Sequence, residues 1–321
     1  MVAPNWLGDA VMSLPAVADL RRACPDATIA VAARPSIAPL FSLTRGLDDV
    51  IVLPRGGPVS LERFETAILF PNSFHSALLA ARGGVRERWG FRTDWRGLFL
   101  TRAIDRPPAM HQIDYYQRLT TALGFPAGPA TPRIDVSDDV RAAGRRALLA
   151  AGWDGLSPLA AVAPGAAYGS AKRWPATAFA DLIAGLAEDG VTSVITGSAA
   201  DQPVAREVLR NVGARAHVID LVERTDIPGL AGVLAHCRTL IANDSGALHL
   251  AAALGVKVAA VFGPTDDRLT APRPADADQK AAIVTNETWC RPCGLRECPL
   301  DHACMRGVAA ADVLAAARPI L

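Results

Sequence analysis

Residues 159–188 read Leu159-Ala160-Ala161-Val162-Ala163, then Pro164-Gly165-Ala166-Ala167-Tyr168-Gly169-Ser170-Ala171-Lys172-Arg173-Trp174-Pro175, then a helix-spaced apolar stretch from Ala176 to Glu188. A short aliphatic run without polar alternation suits a strand buried on both faces. The small-residue segment closed by Pro175 suits a turn that opens a helix. Strand, loop and helix together form one βα unit. The loop sets Lys172 and Arg173 near a helix N-terminus, where outward N–H groups and the helix dipole favour an anion such as a diphosphate.

The same rhythm runs in both directions from this stretch. Downstream, 191–196, 217–221, 239–242 and 256–262 are strand-like, and 202–211, 227–236 and 245–254 are helix-like. Upstream, 28–33, 50–53 and 66–70 read as strands, with helices over 9–22, 73–81, 112–123 and 138–151. The expected fold class is α/β with parallel sheets. The polar, Pro- and Gly-containing stretch 124–158 holds the boundary between an N-terminal domain, 1–150, and a C-terminal domain, 151–321. The last helix is able to pack back on the first domain.

Composition narrows the function. Of 321 residues half are apolar, and the net charge is +1, so a chain-wide surface for nucleic acid is not expected. The first residues lack a basic region followed by an apolar one, and the longest apolar stretch, 248–262, is broken by Gly255 and Lys257. These features point to the cytoplasm, with any membrane contact peripheral. There is no G-x-G-x-x-G and no P-loop pattern, and no clear Asp-x-Asp to hold a metal-bound nucleotide sugar.

Ligands of open parallel sheets bind beyond the carboxyl ends of the strands, so the loops after strands carry the candidates. Pro4-Asn5-Trp6-Leu7-Gly8-Asp9 gives a tight turn at Gly8 and a carboxylate, Asp9, that either caps the helix or takes a proton from an acceptor hydroxyl. In the 164–175 loop Lys172 supplies a point charge, and Tyr168 and Ser170 are its further side-chain donors besides Arg173. Asp201 ends Gly197-Ser198-Ala199-Ala200-Asp201 and could accept two ribose hydroxyls. Asn243-Asp244-Ser245-Gly246 offers backbone N–H groups and the Asp244 carboxylate, with His249 one turn on. Gly263-Pro264-Thr265 places Thr265 near a donor. Without a metal, Lys172 and the helix N-termini would neutralise the diphosphate.

As an ordered set these segments, with Phe70-Pro71-Asn72-Ser73-Phe74 and Cys290-Arg291-Pro292-Cys293 through Cys298-Pro299-Leu300, resemble the lipopolysaccharide heptosyltransferases of glycosyltransferase family 9 across nearly the whole chain. The resemblance implies a GT-B fold, two Rossmann-like domains facing each other across a cleft. It implies inverting transfer from ADP-L-glycero-β-D-manno-heptose to the first heptose of the inner core on Kdo-lipid A, without a cofactor. By position, Asp9 would be the base, and Lys172 with the Ser245 and Gly246 N–H groups would bind the diphosphate. Asp201 would hold the adenosine ribose and Asp244 the heptose. Gly8, Tyr168, Ser170, His249 and Thr265 complete the donor set. Only Met1-Val2-Ala3 precede the first loop, where the family has a full apolar strand, so either the first strand is short or the true start lies upstream. His75 stands where a Lys is common.

On the acceptor side, Asn72, Ser73 and His75 are joined by Arg86, Arg88 and Arg92. Trp89, Phe91 and Trp95 stand among these arginines, with Arg96 beyond. Arginine pairs bidentately with carboxylate and phosphate, which suits an anionic lipid–sugar headgroup. Cys290, Cys293, Cys298 and Cys304 lack a second C-x-x-C, so the zinc pattern is incomplete and reduced thiols are expected. Three rival readings stand beside transfer of the second heptose. They are the same chemistry at the first heptose, a sugar-nucleotide epimerase, and a non-catalytic nucleotide-sugar-binding paralogue. No carboxylate–histidine set suggests the epimerase, and the presence of both Asp9 and Lys172 argues against the paralogue.

Overall fold

A computed structural model describes residues 1–54, 59–276 and 280–321. The chain divides into two compact units, Met1–Asp135 and Val136–Leu321.

In the first unit α1 (Leu7–Met12) and α2 (Leu14–Ala23) precede β1 (Ala30–Ala33), β2 (Asp49–Val52) and β3 (Thr66–Leu69). Then come α3 (Phe74–Arg82), β4 (Glu87–Phe91), β5 (Arg102–Ile104) and α4 (Gln112–Ala122). The expected single helix over 9–22 is two helices broken at Ser13. Pro15 lacks an N–H, and its ring crowds the carbonyl four residues back. The strands pair in parallel as β1–β2 and β3–β4–β5. Val2 joins the two groups by bridging Ala32 and Leu69, with its N–H on the Ile68 carbonyl at 2.9 Å. So the short first segment still does the work of a central strand. The reading along the sequence did not expect β4 and β5, whose Arg- and Trp-bearing residues hide a strand pattern.

The second unit opens with α5 (Asp138–Ala150), then β6 (Leu159–Ala163), α6 (Ala176–Glu188), β7 (Thr192–Ile195), α7 (Gln202–Val212) and β8 (Val218–Asp220). It continues through α8 (Ile227–Leu234), β9 (Thr239–Asn243), α9 (Gly246–Ala253), β10 (Lys257–Phe262), α10 (Asp267–Thr270) and β11 (Ala282–Thr285). It closes with α11 (Ala303–Arg306) and α12 (Ala310–Ala317). The six strands form one parallel sheet in the order β11-β10-β9-β6-β7-β8. β6 and β9 are buried along their whole lengths; β6 reads as an unbroken aliphatic run, and β9 as Leu240-Ile241-Ala242 between Thr239 and Asn243.

The placement of α5 differs from expectation. α5 belongs to the second unit, because Gly144 lets it approach the Gly232 backbone of α8 so closely that a Cβ at 144 would lie 2.1 Å from the Gly232 carbonyl carbon. The units therefore part between Asp135 and Val136, ahead of the expected division at 150/151. The last helix, α12, packs on α6, β10 and β11 of its own unit, with Val313 and Ala317 fully buried there.

Candidate active site

The register of the second sheet assembles a site from distant sequence. β6 lies beside β9, with Ala163 opposite Ala242, and β10 lies on the other side of β9, with Val261 opposite Asn243. The loops that begin at 164, 244 and 263 therefore leave the same end of three adjacent strands. Open parallel sheets bind ligands at that end.

Asn243 shapes the first of these loops. Fully buried, it donates from Nδ2 to the Pro164 carbonyl at 2.8 Å and accepts the Trp174 N–H on Oδ1 at 3.1 Å. One amide thus ties the loop at both ends. Trp174 anchors the exit, with its indole N–H on the Val308 carbonyl at 3.0 Å and Phe179 edge-on at 4.8 Å.

Between those anchors Lys172 Nζ donates to Asp244 Oδ2 at 2.5 Å, and Thr265 Oγ1 donates to the same oxygen at 2.7 Å. The Lys172 and Asp244 side chains are only 12% and 6% exposed. A pair so little hydrated holds its geometry, and each partner is costly to leave alone. Lys172 also lies 4.7 Å from the centre of the Tyr168 ring. Ser245 is the N-cap of α9, yet its hydroxyl is buried and without a partner among the described residues. An unsatisfied hydroxyl at a helix N-terminus, next in sequence to the aspartate that holds a lysine, fits a phosphate oxygen. Gly246 opens the helix and His249 is buried one turn on.

Asp201 joins this group. Its Oδ2 accepts the Ser198 N–H at 2.9 Å and the Ser198 hydroxyl at 2.8 Å. Its Oδ1 packs against Gly165, where a Cβ would lie 2.1 Å away. Half of the carboxylate is thus engaged locally, and glycine is needed for the loop to pass. Ser170 lies exposed in a short 3₁₀ turn.

The cysteine-bearing segment braces the loops. The Ala171 N–H donates to the Arg296 carbonyl at 3.0 Å, the Gly294 N–H to the Pro264 carbonyl at 2.7 Å, and the Tyr168 hydroxyl to the Gly294 carbonyl at 2.8 Å. Arg291 donates to the Gly263 carbonyl at 3.0 Å and pairs with Asp267. All six cysteines are free thiols, and among the described residues no group of three or more His, Cys, Asp or Glu side chains could hold a metal ion. Burial, and then the nearness of Cys290, Cys293 and Cys298, raises the Cys304 thiol above its ordinary range. Asn243 and Arg296 stood outside the expected site residues. An Asn ending an apolar strand ahead of Asp-Ser-Gly was the available signal for the first, and nothing in the sequence marked the second.

In the first unit Asp9 is not a cap. Trp6 holds that position, and Asp9 sits half-buried in the first turn of α1 after Gly8, where a carboxylate suits the dipole. The Tyr116 hydroxyl donates to Asp9 Oδ1 at 3.3 Å. Burial keeps the Tyr116 phenol well above its usual ionisation range, and the Asp9 charge adds to this. Neither residue type nor spacing singled out Tyr116.

The acceptor candidates separate into exposed and committed groups. Ser73 caps α3 through its hydroxyl, which accepts the Ser76 N–H at 3.3 Å. Asn72 donates to the Tyr115 hydroxyl at 2.8 Å, and its Oδ1 is buried without a partner among the described residues. Arg88 donates from Nε to the Phe99 carbonyl and from Nη1 to the carbonyls of Val85 and Arg86, at 2.6, 2.5 and 2.8 Å, so those two nitrogens are committed to the backbone. His75, Arg86 and Arg92 are exposed, Arg92 lying 3.7 Å from Asp105. Arg96 is fully buried on the carbonyls of Phe91 and Pro71, joining the 71–76 turn to the end of β4. Burial lowers it to about 10, so it remains a cation at neutral pH. Among the described residues no helix is long and apolar enough to cross a membrane.

Residues 59–304 match the family model of glycosyltransferase family 9 (heptosyltransferase). Lipopolysaccharide heptosyltransferase 2 of Escherichia coli K12 is 29% identical over 298 residues, 85% of this chain and 84% of that protein. Lipooligosaccharide heptosyltransferase 2 of Haemophilus ducreyi is 28% identical over 303 residues, 85% of each. The solved structure of E. coli ADP-heptose LPS heptosyltransferase II superposes with a TM-score of 0.84 at 26% identity, covering 99% of this chain and 97% of that one. Two parallel sheets flanked by helices, with this likeness, make the fold class α/β of the GT-B kind. Because the family model spans more than half of the chain, the protein belongs to glycosyltransferase family 9.

Proposed function

We propose that this glycosyltransferase moves L-glycero-D-manno-heptose, with inversion, from ADP-heptose to the first heptose of the lipopolysaccharide inner core. The observation that carries the donor half is the convergence of Lys172 and Thr265 on Asp244, next to the orphaned Ser245 hydroxyl at the start of α9. That group offers one cation, one carboxylate and unspent hydrogen-bonding capacity, which suits a sugar joined to a diphosphate. Relatives named heptosyltransferase 2 over most of their length support the acceptor and the step.

In this reading Asp9 takes the proton of an acceptor hydroxyl as that oxygen bonds to the anomeric carbon. The bond from that carbon to the phosphate oxygen breaks, and ADP leaves with the electron pair. Lys172 and the N–H groups of Ser245 and Gly246 stabilise the charge gathering on the diphosphate. Asp244 accepts heptose hydroxyls and Asp201 the ribose, with Gly8, Tyr168, Ser170, His249 and Thr265 completing the donor contacts. Asn72, Ser73, His75, Arg86 and Arg92 serve the acceptor. No cofactor takes part, and nucleic acid is not a partner. The enzyme works in the cytoplasm with peripheral contact to the inner membrane, where its lipid-linked acceptor lies. Exposed Trp95 and Leu98 beside Arg92 support that contact, since an amphipathic ring and a cation suit an anionic bilayer surface.

The test is ADP release from ADP-heptose with chelator present, comparing heptosyl-Kdo-lipid A with Kdo-lipid A. Release requires the heptosylated acceptor and falls about 10²- to 10⁴-fold in Asp9→Asn, with donor binding retained. Turnover on Kdo-lipid A alone assigns the first heptose instead.

A further inference from the structure

We propose that Tyr116 is a positioning residue for the Asp9 carboxylate, its buried hydroxyl fixing one carboxylate oxygen and holding the group in the proton-accepting, ionised form. The inference rests on Asp9 being the base.

Asp9 lies on α1, a helix of only six residues, and a short helix at a chain-end loop does not by itself fix a side chain. Tyr116 comes from α4, which packs against α1, and is 4% exposed. Its ring meets Phe70 at 5.4 Å and Tyr115 at 6.0 Å, both edge-on, so the ring is locked from two sides. The hydroxyl is therefore delivered by the core of the unit, 107 residues away in sequence from the carboxylate it meets. The separation of 3.3 Å is loose for an O–H···O bond, and catalytic hydrogen bonds commonly tighten when substrate is bound. The Gln112 side chain also bonds the phenol, which stays protonated because it is buried. A donor to the charged form of a carboxylate favours that form, so Tyr116 keeps Asp9 ready to accept a proton at lower pH than an unassisted carboxylate would.

Other charged groups lie on α2 and α4, which pack on α1. On α2, Asp19 is bound by Arg22 and by Gln117 at 2.8 Å, and Arg21 by Asp48. On α4, Arg118 is exposed and Asp114 lies in the first turn. At the cap of α4, His111 accepts the Ile113 N–H on Nδ1 at 3.2 Å. His111 has the side chain that ordinarily titrates nearest to neutral pH, so it enters the test as a control.

The experiment is the pH profile of kcat/KM for ADP release in wild type, Tyr116→Phe, His111→Gln and Asp9→Asn. Tyr116→Phe lowers kcat about tenfold and moves the acid limb up by about one pH unit, while KM for ADP-heptose stays within about twofold. His111→Gln leaves the limb in place. An acid limb that superimposes on wild type in Tyr116→Phe, or that moves equally in His111→Gln, overturns the inference while leaving the base assignment intact. Wild-type turnover in Asp9→Asn overturns both. If Tyr116→Phe does not fold, 3-fluorotyrosine at 116 keeps the ring and strengthens the donor. The limb then moves to lower pH, and an unmoved limb refutes the proposal.

Discussion

Thr265 and Lys172, on loops that follow different strands, both donate to Asp244 Oδ2, at 2.7 and 2.5 Å. This arrangement holds the lysine still before any ligand arrives. Removing the shared acceptor has a larger effect than removing its neutral donor, Thr265. Asp244→Asn leaves a nearly buried ammonium without its counter-charge and destabilises the second unit by about 3 kcal/mol, read by urea unfolding. Thr265→Val removes one neutral donor from a still-paired carboxylate and costs about 1 kcal/mol.

Asn243 is a structural tie with a functional readout. Asn243→Ala orphans the Pro164 carbonyl and the Trp174 N–H together and is expected to cost about 2–4 kcal/mol. Because both ends of the 164–174 loop are freed, KM for the donor rises by about tenfold at a temperature where the variant is still folded. A variant with lowered melting temperature but unchanged donor KM would separate the tie from the site.

Gly169 is required for close approach. A Cβ there would lie 2.2 Å from the Arg296 carbonyl oxygen, the same oxygen that receives the Ala171 N–H. Gly169→Ala must displace that carbonyl. The expected result is weaker ADP binding by about tenfold in titration calorimetry, with the acceptor KM unchanged.

Burial pushes the Cys237 thiol up to about 12, and only the thiolate is alkylated. Iodoacetamide at pH 8 should therefore label exposed Cys293 and spare Cys237 until denaturant is added, as read by peptide mass spectrometry. The unfolded thiol ionises near 9 while the folded one resists, so its contribution to stability is complete below about 9 and is lost as pH rises toward 12.

Much of the second unit was legible because its chemistry is local. β6 and α6 run over 159–163 and 176–188 as the aliphatic run and the helical spacing indicate, and the loops at 164, 244 and 263 follow strands as expected. The first unit was less legible. Trp89 and the arginines of β4 and β5 obscure strand patterning, and Pro15 splits a helix whose apolar spacing runs on without interruption. The contacts of Tyr116, Asn243 and Arg296 arise from tertiary packing across many residues, and no spacing rule encodes them. Arg88 was the opposite case, a cation whose surroundings suggested an anion and whose Nε and Nη1 meet three backbone carbonyls.

β6 comes first in the sequence of the second sheet and ends in its middle, between β9 and β7. The loops that follow β6 and β9 thus become neighbours only when strands from both halves of the unit have docked. With nucleotide bound at those loops, as proposed, a half-docked sheet would lack that affinity, and ADP becomes a reporter on the whole cooperative unit. By mass action, nucleotide at a hundredfold excess over its dissociation constant should add about 2.7 kcal/mol of thermal protection. That protection should reach amides as distant as β8 and β11, far beyond the loops that touch the ligand.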